Sequence, residues 1–226
     1  MIELFFSKMD IKLDHIFIFC KPNASEADQL LHAGFMEAES NTHPGQGTQN
    51  RRFYFNNLML EFLWVYNEKE VRSNLTSPTR LWERANSKQN AYCPFGLALS
   101  ATENNPEPEV RPFPAWSYKP IFLPENASIF IAENNHKPQE PMIFYTHFPS
   151  NEKLQHRIEK NPQNVTLVEI NFPIDTDLSI AANQISQIQN LKLTDADEFL
   201  MTIMLDENKN HTILDFAPEL MLKILY

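Results

Sequence analysis

In the segment 11–20, IKLDHIFIFC, alternation places Ile11, Leu13, His15, Phe17 and Phe19 on one face of a strand. His15 is the only polar group among them. In 58–65, LMLEFLWV, the same rule puts Met59, Glu61, Leu63 and Val65 together, with Glu61 the single charge in an apolar run. A buried carboxylate is costly unless it is paired, hydrogen-bonded or bound to a cation. His15 and Glu61 on neighbouring strands meet that demand in one of two ways. They serve as ligands of a divalent metal, or they hydrogen-bond each other or the backbone. Glu61 is also the candidate catalytic base.

The segment 41–52, NTHPGQGTQNRR, concentrates polar groups around Gly45 and Gly47, two of only 4 glycines in the chain. Glycine permits positive φ and close approach of a ligand to backbone. His43, Gln46, Asn50, Arg51 and Arg52 surround it. Adjacent arginines there either clamp a carboxylate or phosphate or pair with surface acids in a tight connector. Alternation lets only one of the two point into a pocket. Arg80, Trp82 and Trp116, with Phe95 and Tyr118, are candidates for a cationic and aromatic pocket wall, although aromatics are more often core. There is no GxSxG motif and no Ser-His-Asp order, and Cys20 falls on the face opposite His15.

The elements that must position these groups follow from periodicity and breakers. Strand 11–20 ends at Lys21-Pro22; Ser25 is expected to cap a helix with Ala27, Leu30 and Leu31 on its apolar face, ended by Gly34. A short strand FMEAES, a loop over 41–50, and strands RRFYF and LMLEFLWV joined at Asn56-Asn57 complete a β-α-β-β-β unit. Ser77-Pro78 opens a short helix, TRLWERAN. PFGLALSAT, SYKPIF, SIFIAEN and MIFYTHF read as a second set of strands, and Ser150 is expected to cap a further helix. The last part reads as strand TLVEINFPI, helix DLSIAANQISQI, a hairpin of FLMTIML and HTILDF around ENKN, and strand LMLKILY. LMLEFL at 58–63 is echoed by LMLKIL at 220–225, and LDHI at 13–16 by LVEI at 167–170. A repeat of this kind suggests βαββ-type modules. The expected organisation is a leader over 1–10, a first module over 11–68, a linker with a short helix over 69–91, a second module over 92–148 and a third βαββ-like unit over 149–226, all in one compact protein.

Composition narrows the function classes. With 19 basic and 29 acidic residues the net charge is −10, and no basic stripe is present, which argues against nucleic acid and against an anionic membrane surface as partners. No apolar run reaches the ~18–20 residues of a membrane span. Four glycines cannot supply a P-loop or dinucleotide fingerprint, so no nucleotide cofactor is expected. Two cysteines make no disulfide framework, and the N-terminus lacks the features of a signal peptide. A cytoplasmic protein, monomeric or homodimeric, with a small-molecule ligand is the simplest reading.

LDHI followed by HPGQGTQNRRFYFNNLMLEFLWV at 43–65 resembles the glyoxalase-like branch of the vicinal oxygen chelate superfamily, whose members share an LDHI strand, an HPG-x-GT-x-NR loop and a strand ending LEL or LEF. PTRLWER, CPFGLAL, PFPAWSYKP and DFAPELMLKIL also fit longer members, so the likeness spans most of 11–226, thinning between 148 and 210. The resemblance implies an α+β fold in which repeated βαββ-type modules form curved mixed sheets around a pocket. That pocket often holds a divalent metal chelated by substrate oxygens. Carried over residue by residue, His15 and Glu61 take first-module ligand positions, and Glu133, closing SIFIAEN, is the acidic candidate of the second module. PFGLALSAT has no histidine to offer. Pairing of the first module with the third unit would instead set Glu169 opposite His15 and Lys223 in place of Glu61. The resemblance favours Arg51 as the inward arginine. It implies binding of a small anionic or carbonyl-bearing molecule. Metal-assisted lyase, isomerase or dioxygenase chemistry and metal-free sequestration without catalysis both stay open.

Overall fold

The computed structural model describes residues 11–102, 112–125, 127–147 and 161–226. The leader expected over 1–10 and the helix expected at Ser150 lie outside these residues. The β-branched and aromatic run Ile11–Phe19 forms β1. A 3-10 turn at Ser25–Ala27 leads into α1 (Asp28–His32), where Ala24, not Ser25, occupies the cap position of the turn without a side-chain bond. Strands β2 (Ala38–His43), β3 (Thr48–Tyr54) and β4 (Met59–Val65) form an antiparallel meander. The expected loop over 41–50 is therefore mostly strand, because Gly45 and Gly47, both at φ +79°, compress the connection into a turn between paired His43 and Thr48. The β3–β4 turn falls at Asn56-Asn57, with Phe55 N donating to Leu58 O at 2.8 Å.

Short helices α2 (Glu68–Val71) and α3 (Leu81–Ala85) follow, then β5 (Phe95–Ala101), β6 (Ala115–Tyr118), β7 (Ser128–Ala132) and β8 (Met142–His147). All eight strands join one sheet in the order β2-β3-β4-β1-β5-β8-β7-β6. The order reads alike from both ends: β1 and β5 are antiparallel at the centre, and each is flanked by a parallel partner, β4 or β8.

The remaining elements are β9 (Val165–Phe172), α4 (Ile180–Ile185), β10 (Leu191–Asp195), β11 (Leu200–Leu205), β12 (Ile213–Asp215) and β13 (Leu222–Leu225). Ser179 caps α4 by accepting from Ala182 N. These strands make a second sheet in the order β10-β9-β11-β13-β12. The expected hairpin around ENKN does not form. Strand β13 lies between β11 and β12, parallel to β11, because its apolar Leu222 and Ile224 complete the core face beside Met201 and Ile203.

One hydrophobic core unites the two sheets: Ile16, Ile18, Phe53, Leu60 and Phe62 of the first pack in the same cluster as Val168, Ile170, Met201 and Ile203 of the second. Burying each such side chain contributes roughly 1.5–3 kcal/mol. The second sheet thus closes one face of the first. The other face carries a separate cluster that includes Phe17, Leu63, Leu81, Tyr118, Ile131 and Phe144, and it is here that the cavity opens. No helix among the described residues is long and apolar enough to cross a membrane.

Candidate functional site

Strict alternation would put Ile11, Leu13 and His15 on one face of β1. Instead the β1–β5 register slips between Leu13 and His15. The resulting bulge sends Ile11 and Leu13 into the core between the sheets. It turns both Asp14 and His15 to the cavity, where Phe17 follows them. On β4 the parity holds: Leu60 and Phe62 are core, while Met59, Glu61 and Leu63 line the cavity. Glu61 pairs across the sheet with Phe17 on β1 and with Arg52 on β3. Three adjacent strands therefore deliver His15, Glu61 and Arg52 to one wall. The cavity measures about 450 Å³, and its apolar surface includes Phe17, Leu63, Phe122, Ile129, Met142 and Phe144.

Each polar group in the wall is held differently. His15 Nδ1 bonds Asp14 Oδ2 at 2.8 Å, and its ring meets Phe144 edge-on at 5.4 Å. Burial alone pulls the imidazole down, but the Asp14 bond and the charges of Glu61 and Asp14 outweigh it and hold His15 above its ordinary range. His43, set by Thr48 Oγ1 at 2.9 Å and stacked on Phe122 at 4.8 Å, is pushed down by burial with Arg52 and His15 nearby, against the pull of Glu61. Arg52 donates through Nε to Glu39 O at 2.6 Å, through Nη2 to the same carbonyl, and through Nη1 to Tyr54 Oη at 3.3 Å. Glu61 is 8% exposed, and among the described residues no hydrogen bond or ion pair reaches its carboxylate. Tyr118 Oη meets Thr76 Oγ1 at 3.3 Å, and Thr76 donates to Gly45 O at 3.1 Å, which ties the glycine turn to the cavity mouth.

Of the residues singled out from the sequence, His15, His43, Gln46, Arg52, Glu61 and Tyr118 line this cavity, while Phe95 is buried in the core between the sheets. Arg51 does not line the cavity. It pairs with Phe62 on the core face of β4, and its guanidinium binds Glu37 at 2.6 Å, Asp28 at 2.8 Å and Ala24 O at 2.8 Å. Arg52 is the inward arginine. The two-residue Asn56-Asn57 turn already contains this answer: it pairs 55 with 58 and so, by counting back, 52 with 61. Asn50 is fully buried, with its Oδ1 accepting from Asn41 N at 2.8 Å to brace β2 on β3. Arg80 pairs with Glu83 at 3.1 Å in the α3 region. Trp82 lies under the Arg72 guanidinium, and Trp116 packs beside Tyr118 at the margin of the cavity-side cluster. Glu133 stands past the end of β7 and lines a different cavity with Asn134, Lys137 and Asp177. Glu169 and Lys223 belong to the second sheet, bound to Lys192 and Asp215. Sequence reasoning missed Asp14, Tyr54 and Thr146, which also line the site. No local signal announces the bulge that exposes Asp14.

A divalent metal on His15 and Glu61 would need further donors from the second module. The strand that pairs with His15 offers Ala98, and the next strand brings Met142, Phe144 and Thr146 to the cavity, with no acid or imidazole among them. Among the described residues no group of three His, Cys, Asp or Glu side chains is arranged to hold an ion. This donor set does not fit a resident metal. Both thiols are also poor nucleophiles: burial pushes Cys20 upward and Cys93 up to about 12.

The sequence matches the family model of a glyoxalase-like domain over residues 13–112. No curated protein matches it. A hypothetical protein from Staphylococcus aureus shares the fold with a TM-score of 0.57 at 12% identity, over 96% of this chain and 99% of that one. A hypothetical protein from Bacillus halodurans C-125 aligns with a TM-score of 0.41 at 12% identity, over 62% of this chain and 96% of its own.

Proposed function

We propose that this chain, whose residues 13–112 carry a glyoxalase-like domain, binds a small carbonyl- or carboxylate-bearing molecule in the β1–β3–β4 cavity without a resident metal. One observation carries the reading: His15 and Arg52 converge from two strands on a single wall of a cavity whose facing surface is apolar. The ligand's oxygens would face the free Nε2 edge of His15 and the Arg52 guanidinium, which favour a partly negative partner. Its body would lie on Phe17, Met142 and Phe144. Specific small-molecule sites combine these parts: an apolar enclosure and a few fixed polar groups. The second-module residues nearest His15, Ala98 on β5 and Phe144 on β8, carry no acid or imidazole, which favours metal-free binding over metal-assisted catalysis.

Thermal-shift and calorimetric titrations with phenylpyruvate, phenyllactate and hydrocinnamate in excess EDTA test this. At least one acid should stabilise the protein, and Arg52→Gln should weaken its binding by about 10-fold or more. Arg51→Gln should keep the ligand response while losing about 1–3 kcal/mol of stability, because its 14%-exposed side chain anchors α1 to β3. Stabilisation that appears only on adding Mn²⁺, Ni²⁺ or Zn²⁺ would overturn the metal-free reading.

A further inference from the structure

We infer that the ligand of this cavity carries an ammonium group beside its carboxylate, so that the site takes a zwitterionic α-amino acid with an apolar side chain; this rests on the binding proposed above. The argument begins from Glu61. Its carboxylate is 8% exposed, lines the cavity, and has no hydrogen-bond or ion-pair partner among the described residues. An isolated carboxylate in such a place carries a desolvation cost that a donor must offset. The described residues do not supply one. Arg52, directly across on β3, is turned to Glu39 O and Tyr54 and makes no bond to Glu61, which leaves one N–H on each Nη for a ligand carboxylate. His15 faces Asp14 through Nδ1. Glu61 therefore stands open in the cavity wall to a cationic donor on a ligand.

Three further observations select an ammonium with an adjacent carboxylate. The wall sets the Asp14 and Glu61 carboxylates beside the Arg52 guanidinium, so it offers both signs of charge. A zwitterion answers both at once, whereas a simple acid or a simple amine answers one. The acidic and cationic residues are directly paired across β3 and β4, so one small ligand can present an anionic group to Arg52 and a cationic group to Glu61. Phe17 sits beside Glu61 on β1, and an aromatic ring beside a carboxylate favours a cation. The 450 Å³ cavity holds about 15 waters at roughly 30 Å³ each, room for a phenylalanine- or tryptophan-sized molecule.

A ligand series separates this inference from the reading beneath it. L-Phenylalanine, phenyllactate, hydrocinnamate and phenethylamine share one ring and differ only at the polar end. Calorimetry in EDTA should rank L-phenylalanine tightest, about 10- to 100-fold over both hydrocinnamate and phenethylamine. Glu61→Gln should collapse the preference for L-phenylalanine over hydrocinnamate to within a few-fold. The series also decides the matter on the unaltered protein, should that variant fail to fold. Equal binding of L-phenylalanine and hydrocinnamate overturns the inference and leaves the acid-binding reading standing. Failure of every carboxylate to bind overturns both.

Discussion

Two histidines share the cavity and are driven apart. Asp14, bonded to Nδ1, and the Glu61 charge keep His15 above its ordinary 6.5 despite burial, and burial keeps His43 below it. The Arg52 charge opposes protonation of both, and each imidazolium would repel the other. NMR titration of the two imidazoles should find His15 titrating above 6.5 and His43 below, and Asp14→Asn should bring His15 down. The sign for stability follows. A raised imidazole stabilises the fold below its unfolded value near 6.5, and this contribution disappears as pH rises through the folded value. For His43 the folded state favours the neutral ring, so its contribution weakens as pH falls below 6.5. Coincident titration of the two rings would remove the electrostatic picture drawn for the wall.

At the scale of elements, two glycines do different jobs. Gly47 closes the β2–β3 turn at φ +79°, and a Cβ there would overlap the carbonyl oxygen of Asn67, which caps α2, and the nitrogen of Val71 at its end. Backbone cannot give way as a side-chain tip can. Gly47→Ala should therefore cost about 1–3 kcal/mol or more, read as a fall of several degrees in Tm. Gly96 on β5 has ordinary backbone geometry, but its Cβ would run into the Phe17 ring. Gly96→Ala should push Phe17 into the cavity, so that ligand-induced stabilisation shrinks by more than the unliganded Tm does. A normal ligand response in Gly96→Ala would show that Phe17 is not part of the binding surface.

The whole molecule is organised around which face of the eight-stranded sheet is closed. The second sheet seals one face through a shared core, leaving the other for the cavity. Ile203, fully buried on β11 between Val168 and Ile224, lies far from the cavity wall in this arrangement. Ile203→Ala should cost about 2–5 kcal/mol, and the lost stability should appear in one cooperative melt that also carries the ligand-stabilised transition. A separate, unshifted transition for the cavity-bearing sheet would show that the shared core does not couple the two.

Much of this was legible along the chain, for a local reason. Alternation and turn chemistry act over two to six residues, so the sequence alone marked strands β1, β4, β5 and β8, put the lone charge Glu61 on an apolar strand, and set the β3–β4 register through Asn56-Asn57. That register even contained the choice of Arg52 over Arg51. Everything that depended on distant partners was decided by the tertiary structure. The Asp14 bulge exists because β1 must fit the register of β5, more than eighty positions on. The partner of His15 across the central strands is Ala98, not an acid, because β5 lies beside β1. β13 intercalates between β11 and β12 because burying Leu222 and Ile224 outweighs the nearer hairpin. Long-range pairing is chosen by the total apolar surface it buries, and no window of neighbouring residues contains that sum.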